Sequence, residues 1–179
     1  MRVVGGVARG RPLRAPRSAG TRPTSDRVRE AIFSMLESLG GLGGASVLDL
    51  YSGSGAMGVE SLSRGAARAV LVESDPAAVR AIRANLEVLA DVGHLAAVVC
   101  SDALRYLAGG VPPFDVVFAD PPYAYARWPE LLRLLRPVAS LLVAETGGDW
   151  EPGSGWETVK QRRYGGTVVS IVRPSEGVD

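Results

Sequence analysis

The sequence predicts an α/β protein in which a mostly parallel sheet is covered by helices on both faces. Short, nearly continuous apolar runs alternate with segments whose apolar residues recur at helical spacing. Continuous apolar strands of this kind are typical of parallel sheets that are buried on both faces. The alternation stops near the C-terminus, where two β-compatible segments flank Gly165 and Gly166, as in an antiparallel hairpin.

Each element of this prediction has its own local signal. Helix starts are indicated by capping-type residues or by proline in the first turn, and helix ends by glycine. The predicted helices run from a cap at 24–25 to 39, over 58–64, from 75 to about 92, from a cap at 102 to 107, and over 128–136. The predicted strands are 46–51, 69–74, 95–100, 114–120 and 140–146, followed by a hairpin of 156–164 and 167–173.

The N-terminal segment is strongly basic. Residues 1–29 carry eight arginines and one acid, Asp26, so this segment has a charge of +7, and the rest must be −6 for the total of +1. A basic segment on a mildly acidic body favours nucleic-acid binding, although a solvated tail has the same composition. We expect residues 1–24 to form a small β-hairpin or extended arm beside a main domain of 25–179, and to be removable without loss of stability. The arginines expected to contact nucleic acid are Arg2, Arg9, Arg11, Arg14 and Arg17.

Composition excludes several classes of protein. The chain has one cysteine, Cys100, and one histidine, His94, so neither an internal disulfide nor a Cys/His zinc site is expected. No apolar run approaches the ~18 residues of a membrane span, and the first residues lack the apolar core of a secretion signal. We therefore expect a cytoplasmic protein without a metal or membrane partner, in which Cys100 is a buried thiol.

The segment VLDLYSGSGAMG contains a glycine-rich turn between a predicted strand and a predicted helix. Gly53, Gly55 and Gly58 match the pattern G-x-G-x-x-G, and Glu73 ends the next predicted strand. Glycines in this pattern allow a ligand to approach the backbone closely, and the acid binds ribose hydroxyls. The motif predicts an adenosyl-ligand site, since a tight turn with a solvated Glu73 would not need this spacing.

The identity of the adenosyl ligand depends on a second acid. The glycine pattern alone does not separate NAD from S-adenosylmethionine. Asp49 lies four residues before Gly53, and the cationic ammonium of S-adenosylmethionine favours a nearby carboxylate. Asp49 therefore favours the methyl donor.

The sequence Asp120-Pro121-Pro122-Tyr123 follows the fourth predicted strand, at the edge where ligands bind in open α/β sheets. The Asp120 carboxylate and the Pro121 carbonyl can accept hydrogen bonds from an exocyclic base amine, and two prolines stiffen the loop. Tyr123 offers a face on which a base can stack, worth ~1–3 kcal/mol. These residue types predict methyl transfer to a base amine; the alternative is a strand-ending turn with a packed tyrosine.

Other candidate residues have weaker signals. Asp102 could accept a hydrogen bond from the adenine of the donor or could only cap a helix, and the sequence leaves both roles open. The three tryptophans, Trp128, Trp150 and Trp156, are expected to be packing anchors rather than platforms for bases.

Through these motifs the chain resembles the bacterial RsmD family, whose members methylate guanine N2 in 16S ribosomal RNA. The resemblance covers nearly the whole chain, through RVVGG, RGRPL, RPTSDRVREAIF, VLDLYSGSGAMGVESLSRGA, DPPY and YGGTVVSIVR. It implies the class I, Rossmann-like methyltransferase fold, with a seven-stranded, mostly parallel sheet that ends in an antiparallel hairpin. It also implies S-adenosylmethionine as donor and, as substrate, nucleotide 966 in the small ribosomal subunit or its assembly intermediate.

The resemblance also implies roles for individual residues. Glycine-turn residues would line the methionine and ribose, an acid would hold the ribose hydroxyls, and the RPTSDR block would lie near the donor carboxylate. The implied donor site comprises Arg22, Thr24, Arg27, Asp49, Gly53, Ser54, Gly55, Glu73, Ser74, Asp102 and Ala103, and the implied base site Asp120, Pro121, Pro122 and Tyr123.

Three alternatives remain at this stage. A DNA adenine-N6 methyltransferase would share DPPY, but the chain has no inserted target-recognition domain. A non-catalytic RNA-binding assembly factor would not need an intact DPPY. An NAD oxidoreductase would need a substrate domain for which the chain has no room.

Overall fold

A computed structural model describes residues 1–15, 25–87, 89, 91–122 and 125–176. Its centre is a seven-stranded sheet of order β3-β2-β1-β4-β5-β7-β6. The first five strands are parallel, and β7 is antiparallel to both β5 and β6. The strands are β1 (Ser46–Leu50), β2 (Arg68–Glu73), β3 (Ala96–Cys100), β4 (Phe114–Ala119), β5 (Ala139–Thr146), β6 (Trp156–Tyr164) and β7 (Thr167–Pro174). The predicted parallel sheet with its C-terminal hairpin is confirmed.

The described residues form five α-helices, one before the first strand and the others between strands, in the places that the sequence predicts. They are α1 (Asp26–Glu37), α2 (Ala56–Ser63), α3 (Pro76–Glu87), α4 (Ala103–Ala108) and α5 (Trp128–Leu135). The first begins at Ser25, whose hydroxyl accepts the Val28 N–H at 3.3 Å.

The predicted end of α3 near residue 92 is wrong. The helix ends at Glu87, and the Leu89 N–H donates to the Leu86 carbonyl only three residues back. This tighter bonding is common where a helix ends. The apolar spacing of Leu86, Leu89 and Val92 continues past the helix because all three pack on the same core. Hydrophobic periodicity therefore overestimated the length of the helix.

The sheet separates two apolar cores, which agrees with burial on both faces. Neighbouring residues of a strand point to opposite faces, so Val47 and Val116 join the core beneath α1, α2 and α3, while Leu48 and Val117 join the core beneath α4 and α5.

Cys100 is exposed, and the expectation of a buried thiol is wrong. It is the last residue of β3, which forms one edge of the sheet. An edge strand has a neighbour on one side only, so its apolar sequence does not guarantee burial.

The N-terminal segment forms the predicted small hairpin. Arg2 and Pro12 make an antiparallel bridge, and the Val3 N–H donates to the Arg11 carbonyl at 3.0 Å. The side chains of Val3, Ala8 and Leu13 are 1%, 2% and 6% exposed and belong to the main core. This burial contradicts the expectation that the segment can be removed without loss of stability.

A buried ionic network anchors the same segment to α1 and α2. Arg29 is fully buried, donates to the Arg2 carbonyl and pairs with Asp26 at 2.9 Å. The buried Glu60 carboxylate accepts the Val4 N–H at 2.8 Å and pairs with Arg64 at 2.8 Å. The arginine of RPTSDRVRE at position 29 therefore has a structural role.

The second glycine of the RVVGG motif, Gly6, lies where no other residue type would fit. It has a φ of 74°, and a Cβ there would lie 1.8 Å from the Ser63 carbonyl oxygen. Both the backbone conformation and the close approach of α2 require glycine.

Candidate functional site

The glycine-rich turn connects β1 to α2, and its glycines have different roles. A Cβ on Gly58 would lie 2.7 Å from Leu71, and one on Gly55 would lie 3.0 Å from the same side chain. These two glycines let α2 pack closely on β2. Gly53 has a φ of 54°, and a Cβ there would come no closer than 3.9 Å to another atom. Its surroundings are open, as ligand binding at the turn requires.

Glu73 ends β2 directly beside this turn. Its Oε2 accepts the Gly53 N–H at 2.9 Å, and its Oε1 accepts the Asp75 N–H at 2.9 Å. The Ser74 hydroxyl lies 3.4 Å from Oε1. The fold thus brings together the glycine and the acid that the motif predicts.

Asp49 lies beneath the turn and is 3% exposed. Its Oδ2 accepts the Gly58 N–H, in the first turn of α2, at 3.0 Å. Burial, and to a smaller extent the nearby Glu73 charge, raise the pKa of Asp49 to about 7, against the lowering effect of the Gly58 hydrogen bond. This carboxyl group therefore titrates near neutrality.

Asp102 follows β3 and caps α4, where it accepts the Arg105 N–H at 2.9 Å. The cap that the sequence allowed is present. The Ser101 N–H donates to the Glu73 carbonyl at 3.0 Å, so Asp102 and the buried Ala103 come next to the end of β2. Contact of these two residues with adenine stays a prediction.

The loop after β4 lies at the same edge of the sheet. Ala119, the last residue of β4, pairs with Leu50 at the end of β1, so Asp120 follows directly beside the glycine turn. Asp120 is exposed and Pro121 is buried. The Pro122 carbonyl accepts the Tyr125 N–H at 2.8 Å.

Four predicted site residues lie outside the described part of the chain: Arg17, Arg22, Thr24 and Tyr123.

Two residues of this site were not predicted from the sequence. Tyr51 adopts a φ of 58°, unusual for a bulky residue, and its hydroxyl donates to the Tyr125 hydroxyl at 2.7 Å. Burial and this hydrogen bond raise the pKa of Tyr51. The contact joins the glycine turn to the loop after β4.

The second such residue is Asn85 of α3, which is fully buried. Its amide nitrogen donates to the Ser54 carbonyl at 2.8 Å and to the Arg14 carbonyl at 2.9 Å, and its amide oxygen accepts the Arg14 N–H at 2.8 Å. One side chain therefore ties the N-terminal segment to the glycine turn. A polar residue on the apolar side of a helix was the only hint available.

The basic residues lie on the N-terminal face. Arg2, Arg9 and Arg27 line a hollow of about 310 Å³ that Asp26 and Glu30 also border. Arg11 and Arg14 are exposed on the same segment. Arg27 is thus grouped with the arginines predicted to contact RNA, and its role toward the donor stays a prediction.

Within the described ranges, no group of three or more His, Cys, Asp or Glu side chains is arranged to hold a metal ion. No described helix has both the length and the apolar character needed to cross a bilayer.

A family profile with the description "Conserved hypothetical protein 95" matches residues 1–173. The chain belongs to the RsmD family. A relative from Escherichia coli strain K12, named Ribosomal RNA small subunit methyltransferase D, is 44% identical over 135 residues, which are 75% of this chain and 66% of the relative. The protein of the same name from Haemophilus influenzae is 35% identical over 92% of this chain and 89% of its own length.

A solved structure supports the same assignment. The structure of Escherichia coli yhhF superimposes with a TM-score of 0.85 at 35% sequence identity, covering 97% of both chains. The seven-stranded RsmD-family fold predicted from the motifs is therefore confirmed.

Proposed function

We propose that this chain transfers a methyl group from S-adenosylmethionine to the exocyclic N2 of a guanine in 16S ribosomal RNA. The observation that carries the proposal is that Asp120 and its two prolines follow β4 next to the glycine turn whose Gly53 N–H binds Glu73. The names of the Escherichia coli and Haemophilus influenzae relatives support RNA of the small subunit as the substrate. The family resemblance points to nucleotide 966.

The residues of the turn fit the donor. Glu73 presents its carboxylate at the strand end, where ribose hydroxyls can donate to it, and the open space around Gly53 admits the ligand. Asp49 lies at the base of the turn, where an ionised carboxylate would attract the donor ammonium. When bound, the donor would supply an electrophilic sulfonium methyl group.

The loop after β4 acts on the guanine. The N2 lone pair is delocalised into the base, so the amine is a poor nucleophile unless its N–H groups are held by acceptors. The Asp120 carboxylate and the Pro121 carbonyl would accept these N–H groups and align nitrogen with the methyl carbon. The new N–C bond would form as the S–C bond breaks, which leaves the neutral thioether S-adenosylhomocysteine, and the proton of the methylated nitrogen would pass to water. Such positioning can contribute ~7–11 kcal/mol.

The decisive experiment is methylation with labelled S-adenosylmethionine of 30S particles, naked 16S rRNA and duplex DNA, followed by nucleoside analysis. We expect N2-methylguanosine from the ribosomal substrate. N6-methyladenine from DNA would show the alternative methyltransferase, and donor binding without any product would indicate a non-catalytic factor. Binding of NAD in place of S-adenosylmethionine would contradict the proposal entirely.

The role of Asp120 has a matched control at the other end of the same strand. Asp120→Ala should abolish methyl transfer while the Kd for S-adenosylmethionine stays nearly normal, because Asp120 acts on the target amine. Asp115→Ala removes an exposed acid that accepts the Ser46 N–H at 2.7 Å and should keep activity. Near wild-type turnover by Asp120→Ala would make Asp120 a structural residue only.

A further inference from the structure

A groove of about 560 Å³ opens beside the loop after β4. This volume is within the ~300–1,000 Å³ typical of ligand sites. Its walls come from the start of α1, from α5 and the segment before it, from the end of β5 and the segment after it, and from the β6–β7 turn. The lining residues that matter here are Tyr125, Trp128, Gly148, Trp150, Tyr164 and Gly166.

The aromatic rings of this groove form a connected series that starts at the glycine turn. Tyr51 contacts Tyr125 with ring centroids 5.5 Å apart, Tyr125 contacts Trp128 at 5.9 Å, and Trp128 contacts Trp150 at 4.9 Å. Edge-to-face and tilted contacts of this kind hold rings in defined orientations. The Tyr51–Tyr125 hydrogen bond fixes one end of the series.

The two tryptophans of the groove are not ordinary core residues. Trp156 is 8% exposed, as expected of a packing anchor, whereas Trp128 and Trp150 are half-buried at the groove wall. Trp128 and Trp150 were expected to be packing anchors, but only part of each side chain is buried, and the rest faces the groove. Rings that are held in place and partly open to a groove are suited to stacking on a planar ligand.

Two glycines of the lining are not required by the fold. A Cβ on Gly148 or on Gly166 would meet no other atom within 4 Å, and neither residue has a positive φ. Another residue type would therefore fit both positions in the protein alone. Glycine leaves the groove open and lets a ligand approach the backbone.

The charges of the groove indicate which part of a nucleotide it can hold. Glu145 and Asp149 both line it, and Asp149 forms an ion pair with Arg163. Neither lysine nor arginine is among the described residues that line the groove, so a phosphate would find no cation there, while aromatic rings attract any base through its π-face. The charges therefore favour an unpaired base over the sugar–phosphate backbone.

We propose that this groove binds an unpaired base of the RNA substrate, next in sequence to the nucleotide being methylated, by stacking on Trp150 and Trp128. This inference rests on the proposed function. The position of the groove supports it, because the Tyr125 N–H binds the Pro122 carbonyl of the loop that would hold the target base. Stacking of the neighbouring base would keep the strand unpaired and the target base turned out of its stack.

The test compares Trp150→Ala with Trp150→Phe in methylation of 30S particles. Loss of one stacked base should raise KM for the particle about 5- to 150-fold, with kcat and the Kd for S-adenosylmethionine nearly unchanged, because uniform binding is lost. Trp150→Phe keeps an aromatic face and should retain most of the affinity. Tyr106→Ala, which removes a half-buried aromatic ring on α4, is the matched control and should leave KM unchanged.

Ultraviolet cross-linking of the wild-type protein to 30S particles identifies what occupies the groove. We expect a peptide containing Trp150 to be joined to an RNA nucleotide adjacent to the methylated one. An unchanged KM for Trp150→Ala, or cross-linking of this peptide to a ribosomal protein, would overturn the inference while leaving the proposed function intact. Failure of the wild-type protein to methylate the particle would overturn both.

Discussion

Individual acids at the strand ends have different environments and therefore different chemistry. Glu73 accepts two backbone N–H groups, from Gly53 and Asp75, one on each carboxylate oxygen. Asp49 has one such hydrogen bond, from Gly58, and is buried. Glu73 is thus held in a fixed orientation at the donor turn, whereas Asp49 is sensitive to pH.

Glu73→Gln should weaken binding of S-adenosylmethionine by on the order of 1.5–3 kcal/mol, the contribution of hydrogen bonds to a charged group. Both carboxylate oxygens of Glu73 accept N–H groups, so the amide nitrogen of glutamine would face one of these donors. Calorimetric titration measures the effect. Glu157→Gln, on the exposed edge strand β6, is the control, and equal affinities for the two variants would remove Glu73 from the donor site.

The raised pKa of Asp49 has a defined consequence for stability. Its pKa in the folded protein, about 7, is above the ordinary value of 3.8. The folded state therefore binds the proton more tightly than the unfolded state, and the stabilising contribution is complete below pH 3.8 and is lost as pH rises toward 7.

Donor binding should show the opposite trend with pH, because the ionised form of Asp49 attracts the donor ammonium. The affinity for S-adenosylmethionine should rise between pH 5.5 and 7, by at most about tenfold per pH unit, since one proton is released. Asp49→Asn should bind more weakly and with little pH dependence over this range. A wild-type Kd that is constant between these pH values would show that Asp49 does not interact with the donor.

At the scale of elements, the N-terminal hairpin is part of the folded core. Leu13 is 6% exposed and belongs to the main core, whereas Val7, at the hairpin tip, is 76% exposed. The same fifteen-residue segment, residues 1–15, therefore presents arginines outward and apolar side chains inward.

Leu13→Ala should lower the free energy of unfolding by about 2–5 kcal/mol, the usual cost of a cavity left by a buried leucine. Val7→Ala should change it by less than about 0.5 kcal/mol, because an exposed side chain makes few contacts. Chemical denaturation of the two variants measures both values. A small effect of Leu13→Ala would mean that the hairpin contributes little to the stability of the fold.

For the whole molecule, the relevant property is the separation of charge along the chain. The first 29 residues have a charge of +7, although the whole chain has a charge of only +1, and Arg2 and Arg9 of the hairpin line one hollow together with Arg27. Since deletion of the hairpin would also remove core residues, its contribution to RNA binding is best measured by neutralising charges.

Replacing Arg9, Arg11 and Arg14 by glutamine should flatten the plot of log affinity for 30S particles against log salt by about 2, with a coefficient of ~0.7 for each phosphate contact. Donor affinity should be unchanged. The matched control replaces three exposed arginines of α3 and α5, namely Arg80, Arg83 and Arg133. Equal slopes for the two triple variants would show that the hairpin does not bind RNA phosphates.

Local patterns in the sequence were sufficient for the order of elements and for the main motifs. Helix caps, apolar runs and glycine turns depend on neighbours in the chain, so the caps at Ser25 and Asp102 and the turn at residues 53–58 could be placed from the sequence. Because the ends of parallel strands meet at one edge of a sheet, the meeting of Glu73 with the glycine turn also followed.

Only the tertiary structure decided the features that depend on residues far apart in the chain. The strand order places β3 at the edge and thereby exposes Cys100. Asn85 contacts Arg14 across 71 positions, and Tyr51 contacts Tyr125 across 74. The aromatic groove likewise exists only where α5, β5 and the final hairpin come together. Burial and contact are set by the neighbours that folding supplies, and no local pattern in the sequence contains them.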